Sequence, residues 1–195
     1  MTDRPILFSA PMIRALLEEK TQDRRLAWRE CPGCFGDGMG WAGECGLCNG
    51  TGQRPTIWQK VKPGDRLWVR ETWSDYWSPL HGLSTCEYKA TASDLRRKAK
   101  VWRPSTNLPR WASRLTLCVT DVRRERLRDI SEGDAVSEGS LCLPLTSLAA
   151  GARGAFAEIW STIHGPDAWE ANPEVVALTF TVHKANIDQL GDQAA

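Results

Sequence analysis

Apolar residues recur at helical spacing near the start of the chain, where the first element is predicted. The side chains that share this face are Met12, Ile13, Leu16 and Leu17. Because Ser9 is a suitable N-cap residue, the spacing predicts a helix over residues 10–19. The polar residues 20–25 that follow lack this periodicity, and we expect them to be extended.

Apolar and polar residues alternate at three later places, and this period of two predicts strands. The three segments are residues 66–71, 115–119 and 176–182, and the second is predicted to run on into the arginine cluster at residues 123–128. The first of them follows a turn at residues 62–65, where Pro63 and Gly64 stand together. Between the first two strands, residues 74–112 are predicted to be rich in loops, with one short strand near residues 86–90.

Two short helices are predicted in the C-terminal half. Residues 131–134 have the pattern of a capping box, which predicts a helix ending near Glu138. After a loop over residues 140–152, a second amphipathic helix is predicted, and a Gly-Pro pair at residues 165–166 is expected to end it. Its apolar face comprises Phe156, Ile159, Trp160 and Ile163. Short strands interleaved with short helices predict a small α+β domain built on a curled sheet or barrel.

The chain carries two closely spaced cysteine pairs, Cys31 with Cys34 and Cys45 with Cys48. Two residues separate the cysteines within each pair, and ten residues separate the pairs. This spacing is typical of a structural zinc site, in which four thiolates surround the ion as a tetrahedron. Such a site has no open position for a substrate, so we expect zinc to support structure or binding. Disulfides and uncoordinated thiols are the alternatives.

Glycine-rich tails follow both cysteine pairs. They are Phe35-Gly36-Asp37-Gly38 and Asn49-Gly50-Thr51-Gly52. Because glycine adopts positive φ freely, these tails can turn backbone amides towards the sulfurs. We therefore expect residues 29–56 to form a four-cysteine zinc module that is inserted into a larger domain.

Composition narrows the setting of the protein. Seven cysteines occur among 195 residues, and those outside the pairs are scattered and odd in number. This pattern favours a reducing cytoplasm over a secreted disulfide scaffold. No apolar stretch approaches the roughly 20 residues of a membrane span, so we expect no membrane contact. The net charge of +1 argues neither for nor against nucleic-acid binding. The ten tryptophans include candidates for base stacking.

Several motifs outside the cysteine module occur together in a consistent order. They include Pro5-Ile6-Leu7-Phe8-Ser9, Lys20-Thr21-Gln22, Pro63-Gly64-Asp65-Arg66-Leu67-Trp68-Val69-Arg70-Glu71 and Pro109-Arg110-Trp111-Ala112-Ser113-Arg114. In this order they resemble the ASCH domain family of the PUA-like superfamily, especially its phage- and prophage-encoded members. The resemblance covers most of the chain outside the module. The cysteine-glycine repeats themselves are similar to those of DnaJ-type co-chaperones.

The ASCH resemblance implies a fold and a division of the chain. The fold would be a small PUA-like β-barrel with flanking short helices and a cleft suited to RNA or to a modified nucleoside. Residues 1–28 and 57–185 would form this domain, with residues 29–56 as the inserted zinc module and residues 186–195 as a polar tail.

The resemblance also implies candidate catalytic residues, because some ASCH proteins are amidohydrolases that remove acyl groups from N4-acylated cytidine or cytosine. Mapped by motif, the family's lysine is Lys20 and its glutamate is Glu138, while Asp23 stands where the family has a threonine. Lys20 would then act as the base, and Glu138 would either orient it or transfer the proton of the leaving amine. Without a hydroxyl at position 23, either Asp23 activates water directly or Thr21, on the same face of an extended segment, substitutes.

A second set of residues is suited to binding. Arg24 and Arg25 form a cationic strip that could hold phosphates, while Trp68 and Arg70 share a strand face that could stack a base. Three functions therefore remain open. We favour a protein that binds RNA or a modified nucleoside. The alternatives are an amidohydrolase, and a protein-interaction adaptor that acts through the zinc module.

Overall fold

The structure is a computed structural model, and it describes residues 1–18, 20–40, 43–78, 83–93, 101–140 and 151–190. Its helices are α1 (Ala10–Glu18), α2 (Glu132–Ser137) and α3 (Gly151–His164). Its strands are β1 (Asp3–Leu7), β2 (Gln22–Leu26), β3 (Trp28–Glu30), β4 (Met39–Gly40), β5 (Gly43–Glu44), β6 (Gln53–Pro55), β7 (Arg66–Arg70), β8 (Trp73–Ser78), β9 (Leu83–Tyr88), β10 (Thr116–Arg126) and β11 (Glu174–His183).

A five-stranded sheet forms the centre of the protein, with strand order β1-β7-β10-β11-β2. β1 runs parallel to β7, and the other neighbours are antiparallel. The pairing of β10 with β11 is the longest, and its register shifts between Val119 and Asp121. The sheet ends at β1 and β2, and a closed barrel is not found among the described strands.

Alternation along the strands gives the sheet two buried faces. One face packs against α1, and this core includes Ile6, Ile13, Leu67, Val69, Leu117, Leu178 and Phe180. The other face packs against α2 and α3, and this core includes Leu127, Ala135, Phe156, Trp160 and Val175. Val175 and Val176 are adjacent on β11 and lie in different cores, as expected for a strand that is covered on both sides.

The mixed α+β class is confirmed, and so are the long periodic elements. α1 covers all but the last residue of the predicted range, and Glu19 lies outside the described residues. β7, β10 and β11 occupy the three predicted strands, and β10 continues to Arg126, into the arginine cluster as predicted. α3 ends at His164, as the Gly-Pro pair predicted. It begins at Gly151, inside the predicted loop, and residues 141–150 of that loop lie outside the described residues.

Two elements were missed. β1 was not predicted, because a single five-residue segment containing Pro5 has little periodicity of its own. The β8–β9 hairpin lies in the region expected to be loop-rich, where the predicted strand near 86–90 overlaps only the end of β9. Long-range pairing, such as Arg4 with Leu67, stabilises β1, and local sequence does not encode that pairing.

The cysteine module leaves the sheet after β2. β3 and β6 pair as a short antiparallel stem, and β4 pairs with β5 nearer the tip. A 3₁₀ turn at Ile57–Lys60 then returns the chain towards β7. None of the helices in the described part of the chain has both the length and the apolar character needed to cross a bilayer.

Candidate functional site

The four module cysteines lie together and are buried. All their sulfurs lie within 4.8 Å of one another, with 3.9 Å between Cys31 and Cys45 and 3.7 Å between Cys34 and Cys48. A tetrahedron with metal–sulfur distances of about 2.3 Å has sulfurs about 3.8 Å apart. The sulfurs are therefore spaced for one metal ion, and they are too far apart for the roughly 2.05 Å bond of a disulfide.

The two cysteine pairs repeat the same backbone conformation. Phe35 and Asn49, directly after the second cysteine of each pair, have φ values of 50° and 52°. The N–H of Cys31 donates to the carbonyl of Gly52 at 2.9 Å, and that of Cys45 donates to the carbonyl of Gly38 at 2.8 Å. Each half of the module is thus tied to the other by an equivalent hydrogen bond.

The backbones of the two tails approach each other so closely that glycine is required at two positions. A Cβ on Gly38 would lie 2.2 Å from the carbonyl oxygen of Gly50, and one on Gly52 would lie 2.1 Å from that of Gly36. Both residues also have positive φ, at 79° and 71°. A side chain at either position would push the two halves of the module apart.

Backbone amides of the tails act on the sulfurs, as the sequence predicted. Burial raises the pKa of the Cys48 thiol, but a hydrogen bond from the Gly52 backbone and the neighbouring cysteines lower it to about 7. Burial raises the pKa of Cys34 to about 11, although the backbones of Gly36 and Gly38 act in the opposite direction. Backbone N–H groups directed at the sulfurs of Cys34 and Cys48 therefore favour the thiolate form of both side chains, which suits coordination of a cation.

A cleft of about 440 Å³ lies where the sheet fails to close, between the end of β1 and the edge strand β2. α3 forms one wall, and the root of the module forms the other. The aromatic side chains that line the cleft are Phe8, Trp28, Trp58, Phe156 and Trp160. The cleft thus combines an apolar, aromatic lining with the polar side chains of β2.

Two carboxylates lie at the floor of this cleft, held from behind by a buried lysine. Asp23 and Glu138 line the cleft, whereas Lys20 is fully buried and is not among the lining residues. The Nζ of Lys20 is 2.7 Å from Oε2 of Glu138 and 3.1 Å from Oδ1 of Asp23. It also donates to the backbone carbonyl of Glu138 at 2.9 Å, so its three protons have three acceptors.

Arg24 points away from solvent into a group of acidic residues. Its side chain is 0% exposed. Nη1 donates to Oε1 of Glu138 at 2.9 Å, Nε donates to Glu125 at 2.8 Å, and Nη2 lies 3.3 Å from Asp134. Lys20 and Arg24 together hold both oxygens of the Glu138 carboxylate, which fixes its orientation towards the cleft.

Arg25 bridges the two open edges of the sheet. Its Nη2 donates to the carbonyl of Leu7 in β1 at 3.0 Å, and its Nε donates to Oδ2 of Asp23 at 2.5 Å. Its guanidinium carbon is 5.1 Å from the ring centre of Phe8 and 5.4 Å from that of Trp58. Arg25 is therefore fixed by two hydrogen bonds and two aromatic contacts at the side of the cleft.

Local structure explains how these side chains meet. Lys20 follows α1, where its N–H donates to the carbonyl of Ala15 at 2.9 Å. Glu138 is the C-cap of α2, and Gly139 after it has φ 75°. A Cβ at Gly139 would lie 2.8 Å from that of Ala15, so glycine lets the end of α2 approach α1 and brings Glu138 onto Lys20.

The predicted cap of α2 forms, and its acidic residue has a second role. The Ser131 hydroxyl accepts from the N–H of Asp134 at 3.0 Å, which confirms Ser131 as the N-cap. The Asp134 carboxylate does not complete a reciprocal capping box. It accepts from the side-chain amide of Gln22 at 2.9 Å and from Arg123 at 3.3 Å, joining α2 to β2 and β10.

Electrostatics keeps Asp23, at the floor of the cleft, ionised. Burial alone would raise the pKa of Asp23, but the charges and hydrogen bonds of Arg25 and Lys20 outweigh it and hold that pKa below its ordinary value. Burial likewise opposes ionisation of Asp134, and the contacts with Gln22, Arg123 and Arg24 lower its pKa. The side chain of Asp23 is therefore a carboxylate at neutral pH.

The structure brings together some of the sequence-predicted site residues and leaves others apart. Asp23, Arg24, Arg25 and Glu138 line the cleft, with Lys20 behind them. Thr21 is exposed and does not line it. Trp68 and Arg70 lie on β7 with Arg70 over the Trp68 ring at 5.3 Å, and neither lines the cleft.

Several residues of the site were missed. Glu125 and Asp134, which neutralise Arg24, come from β10 and α2. Phe156 and Trp160 were predicted to lie on the apolar face of a helix. Their spacing does not distinguish a face that packs in a core from one that lines a cleft. The positive charge of the Arg24-Arg25 pair indicated that acidic side chains would lie nearby. It did not indicate which acidic residues these would be.

Comparison with known protein families, with curated proteins and with solved structures finds no match for this chain. The cleft and the cysteine cluster are therefore the features from which function is inferred.

Proposed function

We propose that this protein binds a nucleobase, as part of RNA or of a modified nucleoside, in the aromatic cleft between β1 and β2. The observation that carries the proposal is the union of aromatic walls with a carboxylate floor in one cleft of about 440 Å³. On this proposal the sheet corresponds to the PUA-like sheet of the ASCH family, which the sequence motifs resemble.

The size and lining of the cleft support a flat aromatic ligand. Small-molecule sites commonly measure ~300–1,000 Å³ and combine apolar walls with a few fixed polar groups. Phe156 and Trp160 on α3 and Trp28 and Trp58 of the module and its root all line the cleft. Aromatic side chains that meet the face of a base contribute about 1–3 kcal/mol per base.

The floor supports a ligand that donates hydrogen bonds. Asp23 and Glu138 are acceptors with fixed oxygens, and Asp23 is held ionised. A ring nitrogen or exocyclic amino group of a base is the matching donor. The partly exposed guanidinium of Arg25, beside Asp23, supplies donors for an adjacent carbonyl or phosphate.

Binding agrees better with the position of Lys20 than hydrolysis does. A lysine base needs a free electron pair directed at the substrate. The Nζ of Lys20 instead donates three hydrogen bonds or ion pairs to Glu138 and Asp23, behind the lining of the cleft. Its role in the proposal is to position the two carboxylates.

We further propose that the metal of the cysteine cluster is zinc. Four thiolates with no other ligand type are the usual donor set of structural zinc sites. Because the sulfurs must stay reduced to hold the ion, the proposal assigns the protein to the cytoplasm.

Calorimetric titration of the zinc-loaded protein tests the proposal. The panel contains cytidine, uridine, adenosine, guanosine, N4-acetylcytidine and a short single-stranded RNA. We expect at least one of them to bind, and Asp23→Asn to weaken that binding about tenfold or more, because a charged hydrogen-bond acceptor is lost. Asp121→Asn is the matched control, since Asp121 is exposed on β10 away from the cleft.

Three results would count against the proposal. Failure of every ligand to bind folded, zinc-loaded protein contradicts nucleobase binding. Equal affinity of the wild type and Asp23→Asn contradicts the assigned site. Conversion of N4-acetylcytidine to cytidine, followed by chromatography during the titration, would replace binding with the amidohydrolase function.

A further inference from the structure

The stem of the cysteine module forms one wall of the cleft. Trp28 and Arg29, in β3, and Thr56, directly after β6, all line the cleft. The first metal-site cysteine, Cys31, follows Arg29 by two residues. The metal cluster and the cleft are therefore joined by a segment too short to bend independently.

The stem has little stability of its own. β3 and β6 contribute three residues each, and all six are exposed or half-buried. A two-stranded hairpin of this kind is marginal in water without further support. Among the described residues of the module, the buried side chains are the four cysteines, so the sulfur cluster takes the place of a core.

The root of the module is held by the sheet instead. Trp58 packs against the main core. The Thr56 hydroxyl donates to the carbonyl of Leu26 at 2.8 Å, and the side-chain amide of Gln59 donates to that of Ala27 at 2.6 Å. The boundary between sheet-dependent and metal-dependent structure thus falls at Trp28, whose backbone belongs to the stem and whose indole N–H donates to Oε2 of Glu174 in β11 at 3.0 Å.

We propose that metal binding at the cysteine cluster controls ligand binding in the cleft, because bound metal orders the wall formed by Trp28 and Arg29. The identity of the ligand in this inference rests on the proposed function. The position of the wall rests on the structure alone. Metal-free protein retains the floor of the cleft, with Asp23 and Glu138, and retains Trp58. It loses the wall formed by Trp28 and Arg29.

Hydrogen exchange and ligand titration on the full chain test the coupling. Zinc-loaded wild type is compared with chelated wild type and with Cys48→Ser. Cys118→Ser is the matched control, since Cys118 lies on β10 outside the module. We expect loss of metal to remove exchange protection from residues 28–30 and 53–55, with β10 and β11 still protected. The affinity for the nucleoside that binds in the panel above is expected to fall about tenfold or more.

A zinc-loaded Trp28→Leu variant distinguishes the effect of the cleft wall on affinity from the effect of the metal. It keeps all four cysteines, and we expect it to reproduce most of the loss of affinity without the loss of protection at residues 53–55. The coupling is overturned if residues 28–30 stay protected without metal, or if metal-free and zinc-loaded proteins bind the ligand equally. If the zinc-loaded protein binds nothing, the proposed function fails, and the exchange data alone decide whether metal orders the wall.

Discussion

The sheet and the cysteine module are built on opposite principles. The sheet buries apolar side chains on both faces. The polar cluster around Lys20 lies outside these apolar cores. The module exposes its apolar side chains, including Phe35 at 87% and Leu47 at 57%, and buries four cysteines. The first region has an apolar core of its own, while the second has in its place a cysteine cluster that could hold a metal ion. Changes that act on one region should therefore leave the other intact.

The largest effect is expected from Gly52→Ala. A Cβ there would lie 2.1 Å from the Gly36 carbonyl oxygen, so the two cysteine pairs must separate. Metal binding in such sites is worth roughly 10–16 kcal/mol in isolated peptides, and we expect much of it to be lost. Competition with a colorimetric chelator would show weaker zinc binding, while the thermal midpoint of the sheet stays unchanged.

Gly46→Ala is the matched control for this change. It lies in the same module, and a Cβ there would meet nothing within 4 Å. Its zinc affinity should equal that of the wild type. Equal affinity for Gly52→Ala as well would contradict the requirement for close backbone approach.

Lys20→Met is expected to have the next largest effect, and it acts on the sheet domain. Methionine keeps much of the volume but leaves the carboxylates of Asp23 and Glu138 without their buried cation. Breaking a buried ion pair from one side costs about 3–5 kcal/mol. Urea denaturation would show the lower free energy of unfolding, and zinc affinity should not change.

The double variant Lys20→Met with Glu138→Gln tests the cause. If electrostatic imbalance explains the loss, neutralising Glu138 should recover part of the free energy of unfolding. Additive losses in the double variant would point to packing instead.

Acid should distinguish the two regions by the pH at which each fails. The pKa of Asp23 is lower in the folded protein than in the unfolded chain, so its contribution to stability is complete above the unfolded pKa of about 3.9. That contribution is lost as pH falls through the folded pKa. Thiolate ligands take up protons at higher pH, so zinc should leave before the sheet unfolds.

Urea midpoints measured from pH 7 to pH 2, with zinc release followed in parallel, check this order. The difference in stability between the wild type and Asp23→Asn should be constant down to about pH 4 and shrink below it. A difference that shrinks between pH 7 and pH 5 would show that Asp23 is not held as a carboxylate by Lys20 and Arg25.

The smallest effects are expected from a pair of glycines around α2, and they have opposite signs. Gly139→Ala adds a Cβ 2.8 Å from that of Ala15 at φ 75°, which should cost about 1–2 kcal/mol. Gly133→Ala lies inside α2, where the nearest atom is 3.9 Å away, and should stabilise by about 0.5–1 kcal/mol. Thermal unfolding of both variants measures the contrast.

Sequence predicted the module far better than the cleft, and the reason is the distance over which each is specified. The ligand set Cys31, Cys34, Cys45 and Cys48 lies within 18 residues, so spacing and glycine tails indicate the cluster directly. Lys20 and Glu138 are 118 positions apart, and their meeting depends on how α1 and α2 pack. The family resemblance indicated that pair, while residue periodicity did not.

The same distinction explains what was missing around Arg24. An adjacent pair of arginines predicts a cationic surface when only the local sequence is known. Neutralisation by Glu125 and Asp134 depends on the register of β10 and on the position of α2. In the structure the buried Arg24 side chain supports Glu138, and phosphate binding by Arg24 stays a prediction.

The edge strand β2 has a consequence for association between molecules. At one end its flanking Thr21 N–H donates to the carbonyl of Ser137, and at the other the Leu26 carbonyl accepts from Thr56. Unprotected edges invite another chain to add as a strand, and covered ends oppose this. The contacts at Thr21 and Thr56 thus oppose the addition of a strand from another molecule, and because both belong to the part of the structure that the sheet holds, loss of metal should not by itself expose this edge.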